Sequence, residues 1–236
     1  MPKGFRAGPA RWCVVAFLVL AGCAGPRTPE GSTPILPRPG EVAVQGRYVH
    51  AGSGMAFPTE GTAAGSRFVR VTVTQYDDKG RDVGANYDVR TSSGRMRISA
   101  HVYPVPTPFS LRGPEGTDET VIRTSESLLR GELCRQELGR REQELVAFHP
   151  EARLIREDTV APPHNEAGVP GHVAIYETND FINNTPGLVR SEIYIFCYVE
   201  RLWIVKYRVT PVHDDASGAV LAAFMKQVPW ASNVPR

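Results

Sequence analysis

Two consecutive segments constrain the fold more than anything else in the chain. Residues 188–199 and 202–210 are rich in aromatic and β-branched side chains and are joined at Glu200-Arg201. That pattern predicts a β-hairpin. With a two-residue turn, Val199 faces Leu202 and Cys197 faces Ile204, while Tyr198 meets Trp203 and Tyr194 meets Tyr207 on the other side. Aromatic cross-strand pairs of this kind add roughly 0.2–1 kcal/mol each. Both faces of 193–199 are apolar, so each side of the hairpin needs a cover.

The chain supplies two helical segments for that purpose. Residues 118–148 read as a long helix with Asp118 as N-cap. Val121, Leu128, Cys134, Leu138, Leu145 and Phe148 fall near one face, and Ile122, Leu129 and Leu133 widen it. The other face carries Glu126/Arg130, Glu137/Arg141 and Arg140/Glu144. Pairs four residues apart contribute a few tenths of a kcal/mol each, so Arg140-Arg141 reads as part of a solvated face. A second helix covers about 216–228, with Asp214 or Asp215 as cap, and Pro229 ends it.

The rest of the pattern is β. Short strands are expected at 47–50 and 55–57. Residues 67–76 alternate, with Phe68, Arg70, Thr72, Thr74 and Tyr76 on one side and Val69, Val71 and Val73 on the other. Asp77-Asp78-Lys79-Gly80 is a turn sequence, and 82–90 returns as the hairpin partner. A strand at 96–103 stops at Pro104, Pro106 and Pro108. Further strands are expected at 152–156 and 172–178, with long loops at 104–116, 159–171 and 179–187. Strands, long helix, strands, final helix, with no β-α-β alternation, predict an α+β domain. Its mainly antiparallel sheet has about six to eight strands, with the long helix and the C-terminal helix packed on it.

The N-terminal segment sets the location. Lys3, Arg6 and Arg11 precede an apolar run from Trp12 to Leu20. This is the order of a secretory signal peptide, and the run falls well short of the roughly 20 residues that a membrane-spanning helix needs. The run closes on Leu20-Ala21-Gly22-Cys23, which resembles the lipobox of bacterial lipoproteins. The resemblance implies a signal peptide at 1–22, lipidation of Cys23 and, because Ala24 follows, delivery to the outer membrane facing the periplasm. Residues 23–46 then form a tether in which Pro26, Pro29, Pro34, Pro37 and Pro39 alternate with Gly25, Gly31 and Gly40. As polyproline II it spans up to ~60–70 Å. A single domain occupies 47–236.

Removal of residues 1–22 discards three basic residues and no acid, which takes the formal net charge from +2 to −1. A near-neutral domain with interspersed charges has no electrostatic footprint for nucleic acid. Of the four cysteines, only Cys134 and Cys197 remain once Cys13 has left and Cys23 is acylated. They form either a disulfide, as an oxidising compartment favours, or two buried free thiols.

The element order, the lipobox, and the pattern from Tyr194 through Trp203 and Tyr207 to the helix before Pro229-Trp230 resemble the PsbP-like group, which includes DcrB-type envelope lipoproteins. The resemblance covers roughly residues 47–231. It implies an antiparallel sheet between helices and a mostly non-enzymatic accessory role.

No catalytic or metal motif emerges. The histidines His50, His101, His149, His164, His172 and His213 lack zinc-ligand spacing, no G-x-S-x-G elbow occurs, and no phosphate-binding glycine loop is present. The expectation is therefore a non-enzymatic protein without cofactor or metal. It is held at the membrane by its lipid and binds an envelope protein. The alternatives are a small-molecule or lipid binder, and a hydrolase with a scattered site. His164, Tyr176 and Phe181, at or beside the long loops, are the candidate binding residues.

Overall fold

The hairpin that dominates the sequence lies inside an eight-stranded antiparallel sheet. The computed structural model describes residues 40–230 apart from 93, 107–110, 165–169, 183–184, 200–201 and 213–214, within the unit Pro37–Arg236. The expected signal peptide, Cys23 and most of the expected tether lie outside the described residues.

A small pair, β1 (Tyr48–Val49) and β2 (Ala56–Phe57), comes first. Four strands follow as a meander: β3 (Glu60–Ala63), β4 (Ser66–Gln75), β5 (Val83–Arg90) and β6 (Arg95–Pro104). Helix α1 (Glu119–Phe148) leads to a second meander of β7 (Arg153–Val160), β8 (Gly171–Ile182), β9 (Thr185–Val199) and β10 (Trp203–Val212). Helix α2 (Asp215–Gln227) ends the domain. The sheet order is β3-β4-β5-β6-β10-β9-β8-β7, so the two meanders join through their last strands. The structure is thus a mixed α+β fold. β3 has no counterpart in the sequence reading, because Glu60-Gly61-Thr62-Ala63 lacks β-branched alternation.

Each helix covers a different face. Val220, Leu221, Phe224 and Met225 of α2, with Val228 just beyond it, pack with Phe68, Tyr87, Ile98, Tyr207 and Val209. The indole of Trp230 closes this core and donates to Tyr207 Oη at 3.0 Å. On the opposite face, Cys134, Leu138 and Leu145 of α1 pack with Tyr103, Ile193, Ile195, Cys197 and Ile204. A disulfide joins Cys134 to Cys197, with 5.5 Å between their Cα atoms. Asp118 caps α1 by accepting from Thr120 N at 2.6 Å.

Three departures from the sequence reading have identifiable causes. In the main hairpin, Cys197 opposes Ile204 and Tyr194 opposes Tyr207, but Trp203 opposes Val199, not Tyr198. Tyr198 is the extra residue of a bulge and has φ of 58°. In β4 a second bulge falls between Arg70 and Thr72. It reverses the strand's parity, so Val73 joins Phe68 in the core, while Val69 and Val71 lie exposed. The expected loop at 179–187 is instead the arm of the β8–β9 hairpin, paired through Asn179↔Leu188 and Phe181↔Pro186.

The long helix also packs differently. Val121, Leu128 and Phe148 are 58 %, 72 % and 82 % exposed. The buried positions of α1 are Cys134, Glu137, Leu138 and Leu145, so α1 is held to the sheet through its second half.

Candidate functional site

Helix α1 lies over β8 and β9 and reaches Tyr103 of β6, so among the described residues the same face of β4, β5, β6 and β10 has no helical cover. The alternation along β10 marks the boundary. Trp203, Val205, Tyr207 and Val209 point to the α2 core, and Ile204 points under α1. Beyond Ile204 on that second face come Lys206, Arg208 and Thr210, all only partly buried.

Cross-strand pairing assembles these positions into rows. Thr72, Asn86, Ser99 and Arg208 are successive partners across β4, β5, β6 and β10. The adjacent row is Thr74, Gly84, His101 and Lys206. Asp88, Arg97 and Thr210 form a third. The first two rows hold no apolar side chain, and the third adds Val69 of β4, the part-exposed partner of Asp88; an open sheet face lined mostly by polar groups is stable in water.

The first row is a hydrogen-bonded ladder. Ser99 Oγ donates to Asn86 Oδ1 at 2.6 Å, and Asn86 Nδ2 donates to Thr72 Oγ1 at 3.0 Å. The three side chains carry four donor hydrogens, and the ladder uses two. The other two have no acceptor among the described residues, whichever way the Asn86 amide is turned.

The second row is aromatic and cationic. His101 Nε2 bonds Asp82 Oδ1 at 2.5 Å. The imidazole lies between the rings of Tyr76 and Tyr103, with centroids at 4.8 and 5.2 Å. Burial pulls the His101 pKa below its usual value against the pull of Asp82. Gly84 makes the stack possible, because a Cβ there would stand 3.2 Å from the Tyr76 ring. Beside His101, Lys206 Nζ sits 6.0 Å from the centroid of Tyr103. No hydrogen bond or ion pair reaches its ammonium among the described residues. Burial, then the nearby charge of Arg141, lowers its pKa to about 8.

A buried polar knot fixes the wall beside this row. Glu137 is 3 % exposed. Its Oε1 accepts from Tyr103 Oη at 2.9 Å and from Arg141 Nε at 2.8 Å. Arg141 also donates to Glu144 at 2.8 Å and lies 4.7 Å over the Tyr103 ring. Arg140 stands 3.2 Å from Glu137 Oε2 as an ion pair, without hydrogen-bond geometry. Arg141 therefore faces the sheet, whereas the sequence reading put it on a solvated face.

The residues singled out from sequence lie elsewhere. Tyr176 is buried under α1, where its Oη donates to Glu142 at 2.9 Å. His164 is on the α2 side, bonded to Val228 O at 3.0 Å and edge-on to Trp230. The structure does not bring these two together. The backbone of Phe181 belongs to β8, and its side chain lies outside the described residues. Asp77 Oδ1 accepts from the backbone of Arg81 and Asp82, as a simple turn requires.

One sequence signal points to the open face. β9 is apolar on both sides, but its neighbour β10 turns from Ile204 to Lys206 and Arg208 on one side. A change from apolar to cationic along a central strand marks the limit of helical cover. No protein-family model matches the chain, and no curated protein and no solved structure matches it.

Proposed function

We propose that the protein is a lipid-anchored envelope lipoprotein and a non-enzymatic binding module, which engages an envelope partner through the open face of β4, β5, β6 and β10. The observation that carries this reading is the row Thr72-Asn86-Ser99-Arg208 beside Lys206. It is a half-exposed polar surface on central strands, next to a helix fixed by a disulfide. A rigid sheet presenting side chains in register gives a preorganised contact surface. The lipobox supports the anchor at Cys23 in the outer membrane, and the tether would let the face reach a partner at some distance from the lipid. Helices on opposite faces of an antiparallel sheet agree with a PsbP-like sandwich. His101 and Asp82 form a pair of the kind a hydrolase uses, but Ser99 gives its proton to Asn86 and not to His101, which favours binding over catalysis.

Two experiments test the proposal. Labelled palmitate should enter the wild-type protein and be lost in Cys23→Ser; label retained in that variant sinks the anchor. Crosslinking and pulldown from intact envelopes should recover a reproducible partner, and Asn86→Arg, which fills the open face, should lose it while keeping the wild-type melting temperature. Equal recovery with a folded Asn86→Arg protein sinks the docking face.

A further inference from the structure

We propose that the first half of α1 is a membrane-contact element, which lays an apolar stripe on its outer side into the surface of the bilayer that carries the lipid anchor. This rests on the anchor at Cys23 and goes beyond it, because it gives the folded domain a second hold on the membrane and sets its orientation there.

The apolar side of α1 changes along its length. Cys134, Leu138 and Leu145 face the sheet. At 3.6 residues per turn, Val121, Ile122, Leu128 and Leu129 fall together on the side away from the sheet, within an arc of about 120°, with only Ser125 between them. Val121, Leu128 and Leu129 are exposed, and Ile122 is half-buried. The charges of this half point the other way. Arg130 pairs with Glu126 at 3.0 Å, both side chains largely buried, and lies 5.5 Å over the ring of Tyr198. A surface helix ordinarily turns its apolar stripe to the core and its charges to water. Here the first half does the reverse.

The stripe also stands beyond the sheet. Cys134 is tied to Cys197 near the end of β9, and Glu142 meets Tyr176 further along β8, so α1 runs along the strands. From Arg130 back to Glu119 it continues past the level of Tyr198 by ~16 Å at 1.5 Å per residue. Leu202, exposed between β9 and β10, lies at this end. The chain enters at the same end. Gly40 O accepts from Gln75 N at 2.8 Å, where β4 finishes. Gln75, Val83, Val102, Val205 and Phe196 are successive partners across the sheet, which sets the end of β4 level with the residue before Cys197.

Size and position together select a bilayer as the occupant. A stable protein interface takes about 20–30 residues a side. Four apolar side chains are too few to hold a free partner, and they suit a surface already kept close. Residues 24–39 separate Gly40 from Cys23. As polyproline II they span ~50 Å, and a tether of that reach holds its two ends at roughly millimolar effective concentration. The arc carries no charge, so the contact is apolar burial at the interface and needs no anionic lipid. With α1 seated in this way the sheet stands on end, and the open face of β4, β5, β6 and β10 looks sideways along the membrane.

The test uses the full lipidated chain in phosphatidylcholine vesicles, with the environment-sensitive fluorophore nitrobenzoxadiazole on one added cysteine. Ser125→Cys places it in the stripe, and Phe148→Cys places it at an exposed position at the other end of the same helix. The fluorophore at position 125 should emit to the blue and be quenched by nitroxide-bearing lipids several-fold more than at position 148, equally with and without phosphatidylglycerol. Adding Leu128→Gln with Leu129→Gln should abolish both signals at position 125 and leave the melting temperature unchanged. Emission from water at position 125, equal quenching at the two positions, signals kept by the double variant, or a requirement for phosphatidylglycerol overturns the inference. A blue shift that grows with protein density, without nitroxide quenching, assigns the stripe to a second copy of the chain and overturns it too. Palmitate labelling and vesicle flotation of the same preparation separate the two readings. A chain that carries palmitate and floats, yet leaves position 125 in water, overturns the helix contact and leaves the anchor standing. A chain without palmitate that does not float overturns both.

Discussion

Replacing both bridged cysteines, Cys134→Ala with Cys197→Ala, should remove a large part of the domain's stability. The bridge spans a sequence separation of 63 residues. The chain-entropy relation for a closed loop of that size gives about 4 kcal/mol at 25 °C, within the 2–5 kcal/mol usual for native disulfides. The packing argument points the same way. Besides Cys134, the buried apolar contacts of α1 are Leu138 and Leu145, each contributing roughly 1.5–3 kcal/mol on full burial. A thirty-residue helix held by so few side chains depends on its covalent tie. Urea denaturation of wild-type and double-variant protein should show the unfolding free energy lowered by that amount, with a slope equal to or steeper than the wild type's because the unbridged unfolded chain exposes more surface, and reduction of the wild type should reproduce it. Hydrogen exchange should show the α1 amides losing protection before those of β5, β6 and β10. A loss below about 1 kcal/mol, or α1 amides as protected as the central strands after reduction, would refute the reasoning.

Three other outcomes follow from the polar groups. Glu137→Ala strands Arg141 and Tyr103 in a nearly dry place and should cost about 3–5 kcal/mol in urea denaturation, whereas Glu137→Gln, which keeps an acceptor for Tyr103, should cost less. Lys206 has a folded pKa of about 8, below the ordinary lysine value of about 10.4. The unfolded chain therefore holds a proton that the folded one has lost between those values, so stability should rise across that window relative to Lys206→Met. Arg141 and Glu144 from α1, Asp82, His101 and Tyr103, and Arg208 surround the lysine and are common to both proteins. Equal pH slopes in the two would show that Lys206 is ordinary. Gly84→Val should push the Tyr76 ring off His101 and melt lower by thermal denaturation; an unchanged melting temperature would show that the close approach at Gly84 is inconsequential.

The fold was legible where side chains alternate without interruption. Cys197 opposite Ile204 and Tyr194 opposite Tyr207 follow from hydrophobic period and turn position alone. Reading failed at Tyr198 and Val71, because a bulge adds one residue and reverses all later sides, and nothing in a β-branched run signals it. The open face was illegible for another reason. Thr72, Asn86, Ser99 and Lys206 sit far apart in sequence, and each looks like an ordinary solvent-facing strand position. Only the strand order, which sets β10 beside β6, brings them into rows. His164 and Tyr176 drew notice by lying near loops, yet the sheet and helices give each a local partner on opposite sides.

The most direct test of the proposed binding surface is site-specific photocrosslinking in intact envelopes. A photoreactive residue at position 97, exposed on the open face in β6, should capture a defined partner, and one at Arg153, exposed at the far edge of the sheet, should not. Capture from position 153 alone, or equal capture from both, would contradict the assignment of the open face.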